Sequence, residues 1–324
     1  MEDWKQLYEL SKKQGVVAIV FEFLREIPKE FAPPENIYKK WFSHSLLIEK
    51  LMRKKEIVAK EFAEKFSERD IQVVVLKGVA YASYYPNPNH RESGDLDCYL
   101  MGKKEDGDKA VVEMGGKMKE AGDMHSHLYY KDLTIENHAL LTNSDNSNSS
   151  TKTEYLFQNL IKTGNSPIRE TKLLKPNADF TAMFLIKHAQ RHFIKEGIWM
   201  RYLLDWAFFL KSESSNVNWE KVIPMMKECK MLNFAKALTS ICIDKFGISI
   251  DVDELKDFSK MSSKVLTDIF EDRPQLQNET FFQKCKRITR RFYRMWKFRS
   301  LAYKSYIGMI WESFVVSSYL QKRF

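Results

Sequence analysis

Residues 76–100, LKGVAYASYYPNPNHRESGDLDCYL, decide the predicted fold of the central part of the chain. The residues that lead into them, 71–76, are nearly all apolar and rich in valine, which predicts a buried strand. Gly78 ends that strand, and residues 79–85 can form a short helix before a proline-rich loop. Residues 95–100 alternate as a second strand would. The stretch therefore predicts a strand–turn–helix–loop–strand unit within an α/β core.

Two carboxylates stand at the start of the second predicted strand. Asp95 and Asp97 are two positions apart, so their side chains leave the same face. Like charges this close repel, and a cation relieves the repulsion. Mg²⁺, with Mn²⁺ as the alternative ion, prefers carboxylate oxygens. Glu136, on a later predicted strand, is the candidate third carboxylate. The structural alternative is a solvated pair that caps a turn, but the apolar strand favours a functional site.

The turn ahead of this pair has the composition of a phosphate-binding segment. Gly78 lets an anion approach the backbone, and Lys77 and Arg91 supply positive charge nearby. Ser93 and Gly94, which directly precede the carboxylates, complete the candidate nucleotide-binding residues. Metal-binding carboxylates beside a phosphate-binding turn are what phosphoryl or nucleotidyl transfer requires.

The same stretch resembles the nucleotidyltransferase superfamily of DNA polymerase beta, in which a strand, a glycine turn and a helix precede Asp-x-Asp on the next strand. It is more closely similar to a bacterial branch that reads Leu-Lys-Gly, Tyr-Pro, Arg, Gly-Asp-x-Asp and then Glu-x-His. The matching positions are Leu76, Lys77, Gly78, Tyr85, Pro86, Arg91, Gly94, Asp95, Asp97, Glu136 and His138. The helical part of that branch carries histidines and an Arg-x-x-x-Asp helix. The corresponding positions are His188, His192, Arg201 and Asp205.

The resemblance covers roughly residues 50–210 and implies a small sheet core of the polymerase-beta type. It implies that Asp95, Asp97 and Glu136 bind Mg²⁺ and that Lys77 and the neighbouring turn face a nucleoside triphosphate. The implied reaction moves a nucleoside monophosphate to an acceptor hydroxyl and releases pyrophosphate. Related folds modify RNA ends, protein side chains or small hydroxylated antibiotics. Val79 stands where the superfamily usually has serine or glycine, which favours the alternative of a non-catalytic nucleotide- or nucleic-acid-binding module.

Three histidines can meet across a predicted hairpin, turned near residues 131–132. His125 and His127 share one face of the first strand, whereas His138 shares a face with Glu136 on the second. His138 can orient that carboxylate or act as a base. A second metal site is one interpretation of the cluster, and exposed strand histidines are the commoner one.

The helical candidates carry a weaker signal. His188 and His192 are four apart on one helix face, but residues 189–190 lack the glutamate of a zinc protease and no third ligand is evident. Arg201 and Asp205 have the spacing of an ordinary helical ion pair. We treat these four residues as accessory candidates.

Positive charge is concentrated near the C-terminal end. Residues 281–304 contain nine basic residues and no acidic ones. The charge of this segment therefore equals the net charge of the whole chain, +9. The candidate patch for an anionic partner is Lys286, Arg287, Arg290, Arg291 and Arg294. Basic residues interleaved with aromatic ones are typical of a surface that binds nucleic acid. A cationic amphipathic helix can instead make peripheral contact with an anionic membrane. The structural alternative is that the basic side chains form a solvent-exposed helix face without a partner. The patch favours RNA among the acceptors, for instance in a transfer-RNA-directed toxin.

The composition limits the remaining possibilities. A chain of 324 residues with 44% hydrophobic and 29% charged residues is not mainly disordered. The four cysteines are widely separated and form no CxxC pair, and the chain starts without a signal-like apolar segment, so we expect a cytoplasmic protein. No long apolar run is present, so we expect no transmembrane helix. We expect an α+β fold with a helical segment at 1–69, a nucleotidyltransferase core at 70–165 and a helical domain at 166–324.

Overall fold

The computed structural model describes residues 2–142, 148–256, 259–271 and 280–310. The chain forms two compact units, Met1–Thr181 and Ala182–Phe324. The α+β class is confirmed, because helices surround one mixed sheet. Residues 1–69, which we expect as a separate helical segment, lie in the same unit as the sheet, since the last helix of that segment contacts several strands.

The helices of the first unit, including the one that continues into the second, are α1 (Glu2–Gln14), α2 (Val17–Leu24), α3 (Glu35–Ser67), α4 (Val79–Ala82), α5 (Lys104–Glu113), α6 (Asn148–Ile161) and α7 (Ala178–Lys195). The strands are β1 (Val73–Val75), β2 (Leu96–Tyr99), β3 (Lys117–Ala121), β4 (His125–Tyr130), β5 (Leu133–His138), β6 (Ser166–Pro167) and β7 (Leu173–Lys175). The helices of the second unit are α8 (Met200–Glu213), α9 (Trp219–Glu228), α10 (Leu232–Phe246), α11 (Ser259–Ile269) and α12 (Phe281–Lys297).

The sheet has the strand order β3-β4-β5-β2-β1-β7-β6. At its centre, β2 runs antiparallel to β1 and parallel to β5. The register places Asp97 opposite Glu136, and Glu136 opposite His127 on β4. Paired residues on adjacent strands share a face of the sheet. These three side chains therefore form one row across three strands.

Apolar burial explains the central strands. The three valines of β1 are fully buried, and every residue of β2 is buried as well. The long helix α3 covers the sheet with Phe62 and Phe66, whose rings lie 4.1 Å apart at the centroids. Each such side chain contributes about 1.5–3 kcal/mol through burial. The core thus holds β2 rigidly, and with it the only charged residue of that strand, Asp97.

One helix prediction is half wrong. The sequence of residues 105–122 predicts a single helix, but α5 ends at Glu113 and β3 follows. Gly115 has φ +84°, and a Cβ at Gly116 would lie 2.6 Å from the carbonyl oxygen of Tyr129. The two glycines therefore allow the chain to turn against β4. All residues of the edge strand β3 are exposed, so no hydrophobic alternation marks it in the sequence.

The end of the polar segment 142–153, which its composition predicts to be a loop, is helical. Asn148 begins α6, whereas residues 143–147 lie outside the described part of the chain. Glu154 of that helix accepts hydrogen bonds from the backbone amides of Leu141 and Thr142, at 3.0 and 2.6 Å. A buried carboxylate that accepts several donors anchors the segment from a distance, which composition cannot reveal.

The second unit is helical, as the sequence predicts from about residue 178 onward. Of the segment 281–324, α12 is described and residues 311–324 are not. Within the described part of the chain, no helix combines the length and apolar character that crossing a bilayer requires.

Candidate active site

The two predicted aspartates lie at the same end of the central strand but in different surroundings. Asp95 directly precedes β2 and is half-buried, whereas the side chain of Asp97 is only 3% exposed. The register brings Glu136 beside Asp97, as the sequence predicts for a third carboxylate. Glu136 is half-buried. The structure therefore places three carboxylates in one region of the sheet.

Two cationic partners surround Asp97. Lys77 Nζ lies 2.5 Å from its Oδ1, and His138 Nε2 lies 3.2 Å from the same atom. His138 Nε2 is also 3.6 Å from Oε2 of Glu136. The imidazole therefore bridges two of the three carboxylates and orients both of them.

These contacts shift the pKa values in opposite directions. Burial raises the pKa of Asp97, but the charges of Lys77 and His138 outweigh burial and hold that pKa well below its usual range. The hydrogen bond from His138 lowers the pKa of Glu136, although partial burial and the charge of Asp97 oppose it. Burial lowers the pKa of His138, but its bonds to both carboxylates outweigh burial and raise that pKa above the ordinary value. The three groups thus form a charged network.

Asp95 is the carboxylate that the protein stabilises least. Burial and then the charge of Asp97 raise its pKa, with only partial compensation from Lys77. A divalent cation beside the aspartates would remove this cost, because it favours both ionised forms. The oxygen donors of Asp95, Asp97 and Glu136 fit the preference of Mg²⁺ or Mn²⁺.

The glycine turn is built around Ser93. Gly78 has φ +61°, and a Cβ there would lie 2.9 Å from Oγ of Ser93. That hydroxyl donates to the backbone carbonyl of Asp95 at 2.9 Å. Arg91 is buried, and its guanidinium donates to the carbonyl of Gly78 and lies over the ring of Tyr81. The predicted nucleotide-binding residues therefore meet at one turn.

An open pocket borders this turn. Gly78, Val79, Ser93 and Asp95 line one side of it. Arg169 also lines it and pairs with Glu56 of α3, with Nη1 and Oε1 2.8 Å apart. The pocket therefore lies beside Asp95.

Sequence reasoning missed Lys55, which lies in the middle of α3 and lines the same pocket. Its Nζ donates to the carbonyls of Ser93 and Gly94, at 2.5 and 3.0 Å. Partial burial lowers the pKa of Lys55, and the charge of Asp95 opposes this shift. Nothing in the local sequence distinguishes Lys55 from the other lysines of this helix.

Metal-capable side chains gather on the same face of the sheet. Within the described residues, the groups of three are Asp97, Glu136 and His138, and His125, His127 and Glu136. In each group, one donor atom per residue lies within 4.8 Å of the other two. Asp95 belongs to neither group. The predicted meeting of the three histidines across the hairpin is confirmed.

The accessory candidates of the helical region lie in the second unit. The rings of His188 and His192 are 4.6 Å apart at the centroids, and each is 5.7 Å from the ring of Tyr202. Arg201 is half-buried and Asp205 is buried on α8. In the described part of the chain, no third metal-capable residue joins the histidine pair.

The predicted basic patch needs one correction. Arg294 is buried, because its guanidinium forms a bidentate ion pair with Asp268 and donates to the carbonyl of Phe193 at 2.6 Å. It is therefore a structural residue of the second unit. Lys286, Arg287 and Arg290 are exposed on α12, whereas Arg291 is half-buried. We call the exposed trio the α12 basic cluster.

Comparison with known proteins gives a family. A family model described as an uncharacterised nucleotidyltransferase matches residues 1–247, well over half of the chain. The chain belongs to this nucleotidyltransferase family. The predicted resemblance is thus confirmed at the level of nucleotidyltransferases, whereas the narrower bacterial branch stays a prediction. Family membership supports nucleotidyl transfer as the general activity.

A solved structure of the antibiotic-resistance factor ANT(2'')-Ia, determined in solution, is also similar. Its TM-score is 0.39 at 12% sequence identity, over 53% of this chain and 88% of that one. The search of curated proteins found no match.

Proposed function

We propose that this nucleotidyltransferase-family protein is a metal-dependent enzyme that transfers a nucleoside monophosphate from a nucleoside triphosphate to an acceptor hydroxyl and releases pyrophosphate. The observation that carries the proposal is the pairing of Asp97 with Glu136 on adjacent strands, two residues along the chain from Asp95, which lines the pocket at the Gly78 turn. Family membership supports the same reaction.

The carboxylates Asp95, Asp97 and Glu136 would hold Mg²⁺ or Mn²⁺. When bound, the ion supplies Lewis-acid chemistry, which makes the acceptor hydroxyl more acidic and stabilises negative charge on the phosphate. His138 keeps Asp97 and Glu136 in position through its contacts at 3.2 and 3.6 Å. It acts as a positioning residue for both carboxylates.

The triphosphate would lie in the pocket beside the turn. Lys77 places an ammonium group next to Asp97, and Lys55 and Arg91 add positive charge through their contacts with Ser93 and Gly78. Positive charge from fixed side chains stabilises phosphate oxygens without reorganisation. Ser93, held against the backbone of Asp95, keeps the turn in register with the carboxylates. The turn therefore couples triphosphate binding to the metal ligands.

The acceptor carries a hydroxyl of RNA, of a protein or of a small molecule. The α12 basic cluster favours RNA among these, since three exposed cations on one helix attract phosphates. This assignment is independent of the reaction at the carboxylates.

The decisive experiment measures Mg²⁺-dependent pyrophosphate release from each of the four labelled ribonucleoside triphosphates. Total RNA, total protein and a small-metabolite extract are offered separately as acceptors. We expect label in one fraction, lost with Asp95→Asn and retained with Asp106→Asn, an exposed acid on α5. Triphosphate binding without pyrophosphate release in any fraction would instead support the non-catalytic binding module. Equal label from Asp95→Asn and wild type would contradict the assignment of the site.

A further inference from the structure

The β4–β5 hairpin places two histidines on the sheet face that carries Asp97. His125 and His127 are two apart on β4 and share that face. The register sets His127 opposite Glu136 and His125 opposite His138. Glu136 therefore has carboxylate and imidazole neighbours on opposite sides, with Asp97 on β2 and the histidines on β4.

The separation of the donor atoms fits a metal ion. Nε2 of His125 and Nε2 of His127 lie 3.1 Å apart. Metal–nitrogen bonds of about 2.0–2.1 Å put adjacent ligands of a tetrahedral or octahedral ion about 3.0–3.4 Å apart. Taking one donor atom from each residue, those of His125, His127 and Glu136 all lie within 4.8 Å of one another. The site thus needs only small side-chain adjustments to close around an ion.

The donor set differs from the one proposed for Mg²⁺. Two imidazoles with one carboxylate suit zinc and its neighbours among the transition metals, whereas Mg²⁺ prefers oxygen ligands alone. All three side chains are half-buried, so they are held by the sheet and still reachable from solvent. The neighbouring group of Asp97, Glu136 and His138 offers only one imidazole, and its two carboxylates suit an oxygen-preferring ion better.

We propose that His125, His127 and Glu136 form a binding site for a transition-metal ion of the zinc class. The site lies beside the carboxylates assigned to Mg²⁺ and shares Glu136 with them. It concerns metal binding alone, so it does not depend on nucleotidyl transfer by the protein.

The test uses the full-length chain, stripped of metal with a chelator and titrated with Co²⁺ as a spectroscopic substitute for Zn²⁺. We expect visible absorption bands of nitrogen-ligated Co²⁺, which Zn²⁺ abolishes and excess Mg²⁺ does not. His125→Ala and His127→Gln should each weaken Co²⁺ binding by at least about tenfold. His44→Gln, on α3 and bonded to Tyr8, is the matched histidine control and should bind Co²⁺ as the wild type does.

Asp97→Asn tests whether Co²⁺ binds at the proposed histidine site or at the neighbouring group of Asp97, Glu136 and His138. We expect this variant to retain Co²⁺ binding, because Asp97 is not a ligand of the proposed site. Unfolding midpoints in chelator show which variants remain folded, and either histidine variant alone suffices for the test. Unchanged Co²⁺ affinity in a folded histidine variant would overturn the proposal, as would loss of binding in Asp97→Asn alone. Retained Co²⁺ binding in a protein without transferase activity would leave this site standing and refute only the proposed function.

Discussion

The two aspartates of the candidate site differ in how the protein stabilises their negative charge. Asp97 is almost fully buried, and it remains ionised because Lys77 and His138 contact the same oxygen atom. Asp95 is more exposed yet has weaker compensation, so its pKa is raised by burial and by Asp97. Asp97 is thus stabilised by cationic side chains of the protein, whereas an external cation would stabilise the ionised form of Asp95.

Gly78 is the residue at which backbone geometry matters most. Gly78→Ala should destabilise the fold by about 1–3 kcal/mol, because φ +61° is strained for alanine and the new Cβ would meet Oγ of Ser93. Urea denaturation measures this change in the free energy of unfolding. Gly94→Ala is the matched control, since no atom lies within 4 Å of its Cβ position, and it should have little effect. Equal effects of the two substitutions would contradict the strain argument.

His138 predicts a pH-dependent contribution to stability. Burial lowers the pKa of His138, but the hydrogen bonds to Asp97 and Glu136 raise it above the ordinary value of about 6.5. The stabilisation is therefore complete below that ordinary value and disappears as the pH rises through the raised pKa. With metal ions removed by a chelator, His138→Gln should lower the free energy of unfolding more at about pH 6 than at about pH 9. A loss that is constant or grows with pH would refute the ion-pair role.

At the scale of elements, the site depends on helix α3 as much as on the strands. Lys55 joins the middle of this helix to the carbonyls of Ser93 and Gly94, directly before Asp95. The helix itself is fixed by buried aromatic residues such as Phe62 and Phe66. A rigid helix therefore sets the position of the loop that enters β2.

Lys55→Ala should destabilise the first unit by about 1.5–3 kcal/mol, because hydrogen bonds from a charged donor to Ser93 and Gly94 are lost. We also expect weaker triphosphate binding, measured by isothermal titration calorimetry. Lys54→Ala is the matched control on the same helix, since its ion pair with Asp132 is exposed and contributes little to stability. If both variants bind triphosphate as the wild type does, Lys55 has no part in the site.

At the scale of the whole molecule, the carboxylates and the basic segment lie in different compact units. The first unit contains the pocket and the metal-capable groups. The second contains the α12 basic cluster, and its buried Asp268–Arg294 pair belongs to the internal structure of that unit. Substitutions in the proposed catalytic site and in the α12 basic cluster can therefore be tested separately.

Replacing Lys286, Arg287 and Arg290 of the α12 basic cluster with glutamine tests an RNA acceptor. Loss of three phosphate contacts should weaken RNA binding and reduce the slope of log affinity against log salt by about 2. Filter binding at several salt concentrations measures both. Transfer to a small-molecule acceptor should be unchanged, and an unaltered salt slope for RNA would exclude this cluster from recognition. Arg294→Gln is unsuitable here, because breaking the buried pair with Asp268 costs about 3–5 kcal/mol.

Local sequence patterns determined a large part of this protein. The alternation at residues 95–100 located β2, which carries Asp97, and a short polar turn joined the strands that carry His127 and Glu136. Helical periodicity located α3 and the helices of the second unit. These features depend on residues close in the chain, so the sequence alone predicts them.

Tertiary structure alone decided which distant residues meet. The parallel register of β2 with β5 set Asp97 beside Glu136, and the packing of α3 brought Lys55 to Ser93. Arg294, a candidate surface charge, is buried and pairs with Asp268. The second half of the helix predicted at 105–122 is instead the exposed edge strand β3. Each outcome depends on packing or hydrogen bonds between segments far apart in the chain, which no local pattern encodes.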